Sequence, residues 1–316
     1  MIFKQMNVIT IIVSYKNEEM TCHFVNDELS KLKEVTHVVV VNNSADDKSD
    51  ELLHKGIAGA ELIREGQEYS GSKIVVLPTK GNQGFANGNN QGVEFARKYM
   101  SPDYLLFTND DILITDVEVI GKLIEKLDSD DRIGAIGPRI RLKDSDAPQG
   151  PIPYSNPWKR YFLPYAIPLP FSWYRKYMEQ GYMENAKEGF HYVIIGCFFL
   201  MRASDFYTIG MMDPNTFLYR EEECISERLQ KQLGKQAYWY PQTDVIHLKS
   251  VSTKKNESKG VSVNRIMQES DLYYYHAYHH YPKWIIQLAI NSGMFVQKFR
   301  FYCSAAAVKI GLKKDI

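Results

Sequence analysis

Val8-Ile9-Thr10-Ile11-Ile12-Val13 decides the fold. The run is apolar at all but one position and mostly β-branched, as expected of a strand covered on both faces. Four more runs of this kind follow: Val38 to Val41, Ile74 to Leu77, Tyr104 to Phe107 and Ile133 to Ile136. Between them, polar stretches with spaced apolar positions predict helices over Glu18 to Leu32, Val93 to Tyr99 and Asp116 to Leu127. Strand-helix alternation at this pitch implies β-α-β units with right-handed crossovers, hence an α/β protein with a doubly wound, mostly parallel sheet flanked by helices. In such sheets ligands sit at the carboxyl ends of the strands, which is where the chemistry is sought.

The second half is less regular. Residues 144 to 182 carry most of the prolines together with Trp158, Tyr161, Phe162, Phe171, Trp173 and Tyr174, and read as an irregular excursion. Val193 to Met201 predicts a strand, Glu221 to Leu233 a helix and Val245 to Leu248 a short strand. From Val263 onward the pattern is helical, with a break near Pro282. The expected organisation is a domain over 1–255, with a donor-binding half at about 1–115 and an acceptor half at about 116–255, followed by a helical extension over 256–316.

Composition narrows the class. Hydrophobic residues at 44% and charged residues at 24% suit a chain with a real core, and a formal net charge of zero does not favour nucleic acid. The four cysteines form no C-x-x-C pair, which speaks against zinc ribbons and suits a reducing cytoplasm. The N-terminus lacks the pattern of a signal peptide, and no apolar stretch reaches the roughly 18 residues of a spanning helix.

Three segments carry candidate chemistry. In Phe107-Thr108-Asn109-Asp110-Asp111-Ile112 a buried strand runs into two carboxylates at its carboxyl end. Hard divalent cations take one or two such ligands plus substrate phosphates, though a polar turn ending a strand reads equally well. The run Gly81 to Gly92 holds four glycines and four asparagines, follows a strand and opens a helix; close backbone approach and free N–H groups there suit an anion. It is neither a Walker loop nor a dinucleotide fingerprint. Glu221-Glu222-Glu223 opens the later helix, either complementing its dipole or including a general base. His247 ends a Val-Ile-His strand; a lone histidine is more often structural than a ligand.

Taken in order, Thr10 to Lys16, Val39 to Ser44, Gly81 to Gly92, Asn109-Asp110-Asp111, Gly196 to Arg202, Gly210 to Asp213, Phe217 to Glu223 and His247 resemble the family-two glycosyltransferases with a GT-A fold, especially their rhamnosyltransferase-like branch. The resemblance implies roles. Ser14, Tyr15, Asn42 and Asn43 would border the nucleoside, with Asn42 standing where aspartate is common. Gly81, Asn82 and Gly84 would line the donor pocket. Asn109-Asp110-Asp111 looks like the D-x-D element with its first aspartate replaced: Asp111 would be the main metal ligand, Asn109 would contribute weakly or bind ribose, Asp110 would belong with it to the donor site, and His247 would lie near the metal and diphosphate. Glu222 takes the place of the aspartate that deprotonates the acceptor, with Glu221 the second choice.

The implied activity is metal-dependent, inverting transfer of a sugar, a hexose or deoxyhexose, from a nucleoside-diphosphate sugar to an acceptor hydroxyl. Mn²⁺ or Mg²⁺ is the implied cofactor, a glycan or lipid-linked molecule the acceptor, and surface-polysaccharide assembly the setting. A nucleotidyltransferase would want a basic residue among the glycines, and 81–92 has none; a sugar-nucleotide-binding protein without catalysis is the reading from another class. From Lys283 to Lys314 there are six Lys or Arg residues and no acid. Such a tail suits a peripheral membrane contact on the inner face of the cell membrane, a homodimer contact through 263–316, or packing on the catalytic domain. His276, His279 and His280 are expected at the surface.

Overall fold

In the computed structural model, residues 6–143, 145–166, 181–248 and 263–309 are described. Phe171, Trp173 and Tyr174 of the aromatic excursion, the positions after Leu248 up to 262, and Lys313 and Lys314 lie outside them.

Five parallel strands form one half of the sheet: β1 (Val8–Ser14), β2 (Val35–Asn42), β3 (Ala60–Leu62), β4 (Ile74–Pro78) and β5 (Tyr104–Thr108), in the order β3-β4-β2-β1-β5. Because their side chains alternate between two covered faces, no polar face is needed. Val8, Ile12, Val38 and Val40 enter one core, and Ile9, Ile11, Val39 and Val41 the other. Helices α1 (Glu18–His23), α2 (Asp47–Gly56), α3 (Phe85–Tyr99) and α4 (Val119–Asp128) supply the cover.

The other half is mixed. Strand β6 is Ile112–Ile114, β7 Ile133–Leu142, β8 Ser145–Pro148, β9 Gly189–His191, β10 Phe198–Arg202 and β11 Gln236–His247. β10 runs antiparallel between β5 and β7, β11 is parallel to β7, and β6 closes this edge antiparallel to β11. The longer helices of this half are α5 (Ala203–Thr208), α6 (Glu221–Arg228), α7 (Val263–His279) and α8 (Lys283–Lys309), beside single turns at Leu163–Ala166 and Gly181–Glu184.

Several boundaries differ from the sequence reading. The Gly/Asn run is no loop beyond Gly84: Phe85 to Gly92 are the first two turns of α3. Gly88 and Gly92 are there for packing, since a Cβ on Gly92 would stand 2.8 Å from both Ile11 Cγ2 and Val41 Cγ2. The predicted strand over Val193 to Met201 begins only at Phe198, Val193 making an isolated bridge to Ile152. β11 starts at Gln236, nine residues before the predicted strand, because Ala237, Tyr238 and Trp239 pair with both β7 and β9.

The helices from Val263 pack on the rest of the chain through Tyr274, Tyr275, Ile286 and Ile290, which form a cluster with Cys224 of α6. His276 and His280 are exposed as expected. His279 is not: its Nε2 lies 3.3 Å from Glu227 and 2.8 Å from the Tyr274 hydroxyl, so it belongs to a polar network behind α6.

Candidate active site

The site grows from the tip of β5. Asn109 donates its N–H to the Cys197 carbonyl at 2.9 Å, tying the tip to the segment before β10. The two aspartates then diverge. Asp110 turns toward α1, accepting from Thr21 Oγ1 at 2.7 Å and Asn17 Nδ2 at 3.1 Å. Burial pushes its carboxyl up to about 6 despite the Thr21 bond, with the Asp111 charge adding to the shift.

Asp111 faces the other way. His247 at the end of β11 pairs with Ile112, the residue after Asp111, and Leu248 N–H donates to the Asp111 carbonyl at 2.8 Å. That register sets His247 Nε2 3.2 Å from Asp111 Oδ1. The far ring nitrogen, Nδ1, lies 2.7 Å from Gln149 Oε1. Since an amide oxygen only accepts, the proton belongs on Nδ1, and in the neutral ring Nε2 presents a lone pair beside the carboxylate.

This pair passes a simple test for a divalent ion. Ligands about 2.1 Å from an octahedral cation stand roughly 3 Å apart along an edge. A histidine oriented by its far nitrogen is also the usual arrangement of a ligating imidazole. Among the described residues no group of three or more His, Cys, Asp or Glu side chains converges, so Asp111 and His247 would have to share the ion with substrate phosphates.

Glu222 approaches from α6. Its Oε1 accepts from Gly196 N–H at 3.0 Å, and Gly196 is followed by Cys197, whose carbonyl holds Asn109. Two residues of main chain, Gly196 and Cys197, therefore bridge the strand tip and the carboxylate. Ile194, Phe199 and Ile225 share with Glu222 a void of about 10 Å³. This apolar enclosure, with the Glu223 charge behind it, pushes Glu222 up to about 7. Burial also pushes up the Cys197 thiol, with the charges of Asp111 and Glu222 adding to it, as expected of a group lying between them.

Gly196 is needed for this approach: a Cβ there would fall 2.0 Å from Glu222 Oε1. We expect Gly196→Ala to lower turnover about 10²-fold with little change in melting temperature, the scale on which catalysis punishes a misplacement of about 1 Å. Steady-state kinetics beside a thermal melt checks it.

Glu221 is buried, and its Oε1 has no hydrogen-bond partner; burial and the Glu222 charge push it well up. The turn before it is strained. Tyr219 and Arg220 both hold positive φ, at 75° and 76°, which costs about 1–2 kcal/mol for each L-residue. Arg220 is locked there by ion pairs to Glu223 and Asp271 and by a 3.2 Å bond to the Tyr275 hydroxyl. Arg160 binds the other oxygen of Asp271 at 2.7 Å. Asp271 on α7, fully buried, was not singled out in the sequence; no local pattern distinguishes an acid on a helix that pairs with an arginine 51 residues away.

The remaining predicted residues surround the carboxyl ends of β1, β2 and β4. Ser14 is buried and bonded to Thr21 Oγ1 at 2.8 Å, while Tyr15 is half-buried with Lys16 Nζ 5.1 Å above its ring. The Asn42 amide is committed inward, donating to Ser49 at 2.9 Å and Asp50 at 2.7 Å and accepting from Ser44 N–H at 3.1 Å. Asn43 donates to the Gly84 carbonyl at 3.0 Å and to Asn82 Oδ1 at 3.3 Å, and Gly81 and Asn82 lie in the loop it braces. Gly84, at φ 90°, is pressed so closely by Phe217 that a Cβ would lie 2.2 Å from the Phe217 carbonyl, which accepts from Phe85 N–H at 2.8 Å. Asn87 and Asn90 grip the Pro214 and Met212 carbonyls at 3.1 and 2.9 Å. Much of the asparagine in this run therefore fastens the start of α3 to the loop that leads into α6. A groove of about 1050 Å³ opens beside Ala45, Asp46, Thr79, Lys80 and Gln83 and continues along the outer face of α3; neither Asp111 nor Glu222 lines it.

The sheet order and its helical cover define a GT-A fold. A model of glycosyl transferase family 2 matches residues 10–210, and the chain belongs to that family of glycosyltransferases. It resembles the solved structure of GalNAc-T7 with UDP, GalNAc and Mn²⁺, at a TM-score of 0.53 and 15% identity, over 78% of this chain and 44% of that one. It also resembles the mannosyltransferase PcManGT from Pyrobaculum calidifontis in complex with GDP-Man and Mn²⁺, at 0.57 and 10% identity, over 99% and 82% of the two chains. At these identities the likeness is one of fold, and the chain spans less than half the length of the GalNAc-T7 chain. No protein of curated function matches the sequence. No helix among the described residues is long and apolar enough to cross a membrane.

Proposed function

We propose that the chain is an inverting glycosyltransferase that moves a hexosyl or deoxyhexosyl group from a nucleoside-diphosphate sugar to a hydroxyl of a glycan or lipid-linked acceptor, in the cytoplasm and in surface-polysaccharide assembly. One observation carries the reading: Glu222, pushed up to about 7, is joined through Gly196 and Cys197 to the strand tip that bears Asp111. A base poised near the working pH, beside a site suited to diphosphate, is what a single displacement requires.

Asp111 and His247 would hold the divalent ion, Mn²⁺ or Mg²⁺, which when bound neutralises charge on the departing diphosphate. The protein's own steps follow from the site. The loops after β1, β2 and β4, with Tyr15, Asn43 and Gly81 to Gly84, orient the nucleoside. Asn42 braces these loops from beneath: it is fully buried, its amide turned inward to Ser49 and Asp50 and its carbonyl accepting from Thr79. Glu222 takes the acceptor proton as the acceptor oxygen attacks the anomeric carbon and the carbon–oxygen bond to the diphosphate breaks. The developing charge on the nucleophile is met by a group already fixed by Gly196, so little reorganisation is needed at that moment.

A panel of UDP-, GDP- and dTDP-sugars with Mn²⁺, assayed for hydrolysis and for transfer, tests the reading; binding of a donor with neither would leave a binding protein. We expect Asp111→Ala to weaken Mn²⁺-dependent donor binding at least tenfold while binding without metal changes little. Calorimetric titrations with and without Mn²⁺ that coincide with those of the wild type would remove Asp111 from the metal site.

A further inference from the structure

Helix α8 has two apolar faces, and only one of them is covered. Ile286, Ala289, Ile290 and Gly293 are buried, and Gly293 comes so close to the Tyr161 carbonyl that a Cβ would lie 2.1 Å from it. The other face is open: Trp284 is 68% exposed, Leu288 47%, Phe295 70%, Phe299 60% and Tyr302 69%. Their spacings of four, seven, four and three residues place all five on one stripe of the helix. Over the same helix the charged residues are Lys283, Lys298, Arg300 and Lys309, with no acid among them, and Lys313 and Lys314 follow in sequence.

We propose that this stripe docks on an anionic lipid surface, with α8 lying along the interface. Both halves of the pattern point to that occupant. Tryptophan, tyrosine and phenylalanine on one face of a basic helix suit the boundary between headgroups and acyl chains. An uninterrupted positive charge suits anionic headgroups. A second copy of the chain fits less well, because a two-fold axis through the stripe would set lysines against lysines. The proposal is independent of which sugar or acceptor the site takes.

The test is co-sedimentation of the full chain with vesicles of phosphatidylglycerol and phosphatidylcholine, against phosphatidylcholine alone. We expect binding to the anionic vesicles that falls steeply with salt. Trp284→Ala/Phe295→Ala/Phe299→Ala should weaken it at least tenfold, with an unchanged melting temperature because the three side chains are exposed. Lys283→Glu/Lys298→Glu should weaken it similarly while leaving the apolar stripe intact, so that misfolding of the first variant does not decide the outcome. The proposal is overturned if the wild type stays in solution with anionic vesicles, or if both variants sediment as it does. It is equally overturned if light scattering finds a dimer that the triple alanine variant dissolves and vesicles do not bind.

Discussion

Glu222→Gln should lower turnover about 10²–10⁴-fold while leaving donor affinity within a factor of two or three, since a general base acts on the acceptor and touches no part of the donor that the amide would lose. The wild-type pH profile carries the same information. The base works deprotonated and its carboxyl stands at about 7, so kcat/KM should climb as pH rises through that value and level off above it. A profile flat between pH 5.5 and 8.5, or a Gln variant with ordinary turnover, moves the base elsewhere, with Glu221 next in line. Stability should run the opposite way. A carboxyl whose folded pKa lies above the ordinary 4.5 favours the fold in its neutral form, and that contribution is lost as pH rises through about 7. Glu222→Gln should therefore melt higher than the wild type at pH 8 and alike below about pH 4, under the ordinary carboxyl value. Observed together, the two trends would mark a charge held where catalysis needs it, at the expense of the fold.

Asp271→Ala should destabilise the protein by about 3–5 kcal/mol, the range for removing one partner of a buried ion pair. Two guanidinium groups are affected at once: Arg160 loses its ion pair to Asp271, and Arg220, itself nearly fully buried, keeps Glu223 but loses Asp271. Burial alone would raise the Asp271 carboxyl, but Arg220 and Arg160 outweigh it and the net shift is downward. By linkage, its stabilisation is complete above the ordinary value of 3.8 and is lost as pH falls through the lower folded value. Denaturant titrations of wild type and Asp271→Asn should therefore differ most at neutral pH and converge toward pH 3. Activity should fall as well, because the clamp on Arg220 holds the left-handed turn from which α6 and Glu222 emerge. Equal unfolding midpoints would show the clamp to be slack.

Much of the N-terminal half was legible. Val8 to Val13, Val38 to Val41 and Tyr104 to Phe107 are strands covered on both sides, and such strands advertise themselves as unbroken apolar runs. The Gly81 to Gly92 run reads in sequence as a ligand loop opening a helix, and from Phe85 onward it is helix packed on the sheet. Asparagine and glycine look alike in sequence whether they cradle a ligand or let a helix settle on a sheet, and Gly92 against Ile11 and Val41 does the latter. α2 left little trace, because its largely polar sequence is organised by the Asp46 cap, which accepts from Lys48 N–H at 3.1 Å, and by burial of Leu53.

By itself, then, the chain's order of strands, helices and acidic motifs determined the α/β class and the family, since hydrophobic period is a local property that each segment carries alone. Only tertiary structure decided which groups meet. Asp111 faces His247 because β6 and β11 pair in one register, Glu222 reaches the strand tip because residue 196 has no side chain, and α7 reaches back to brace α6 through Asp271. Those meetings depend on how distant strands and helices align, and in the paired strands a shift of one residue would turn each side chain to the opposite face.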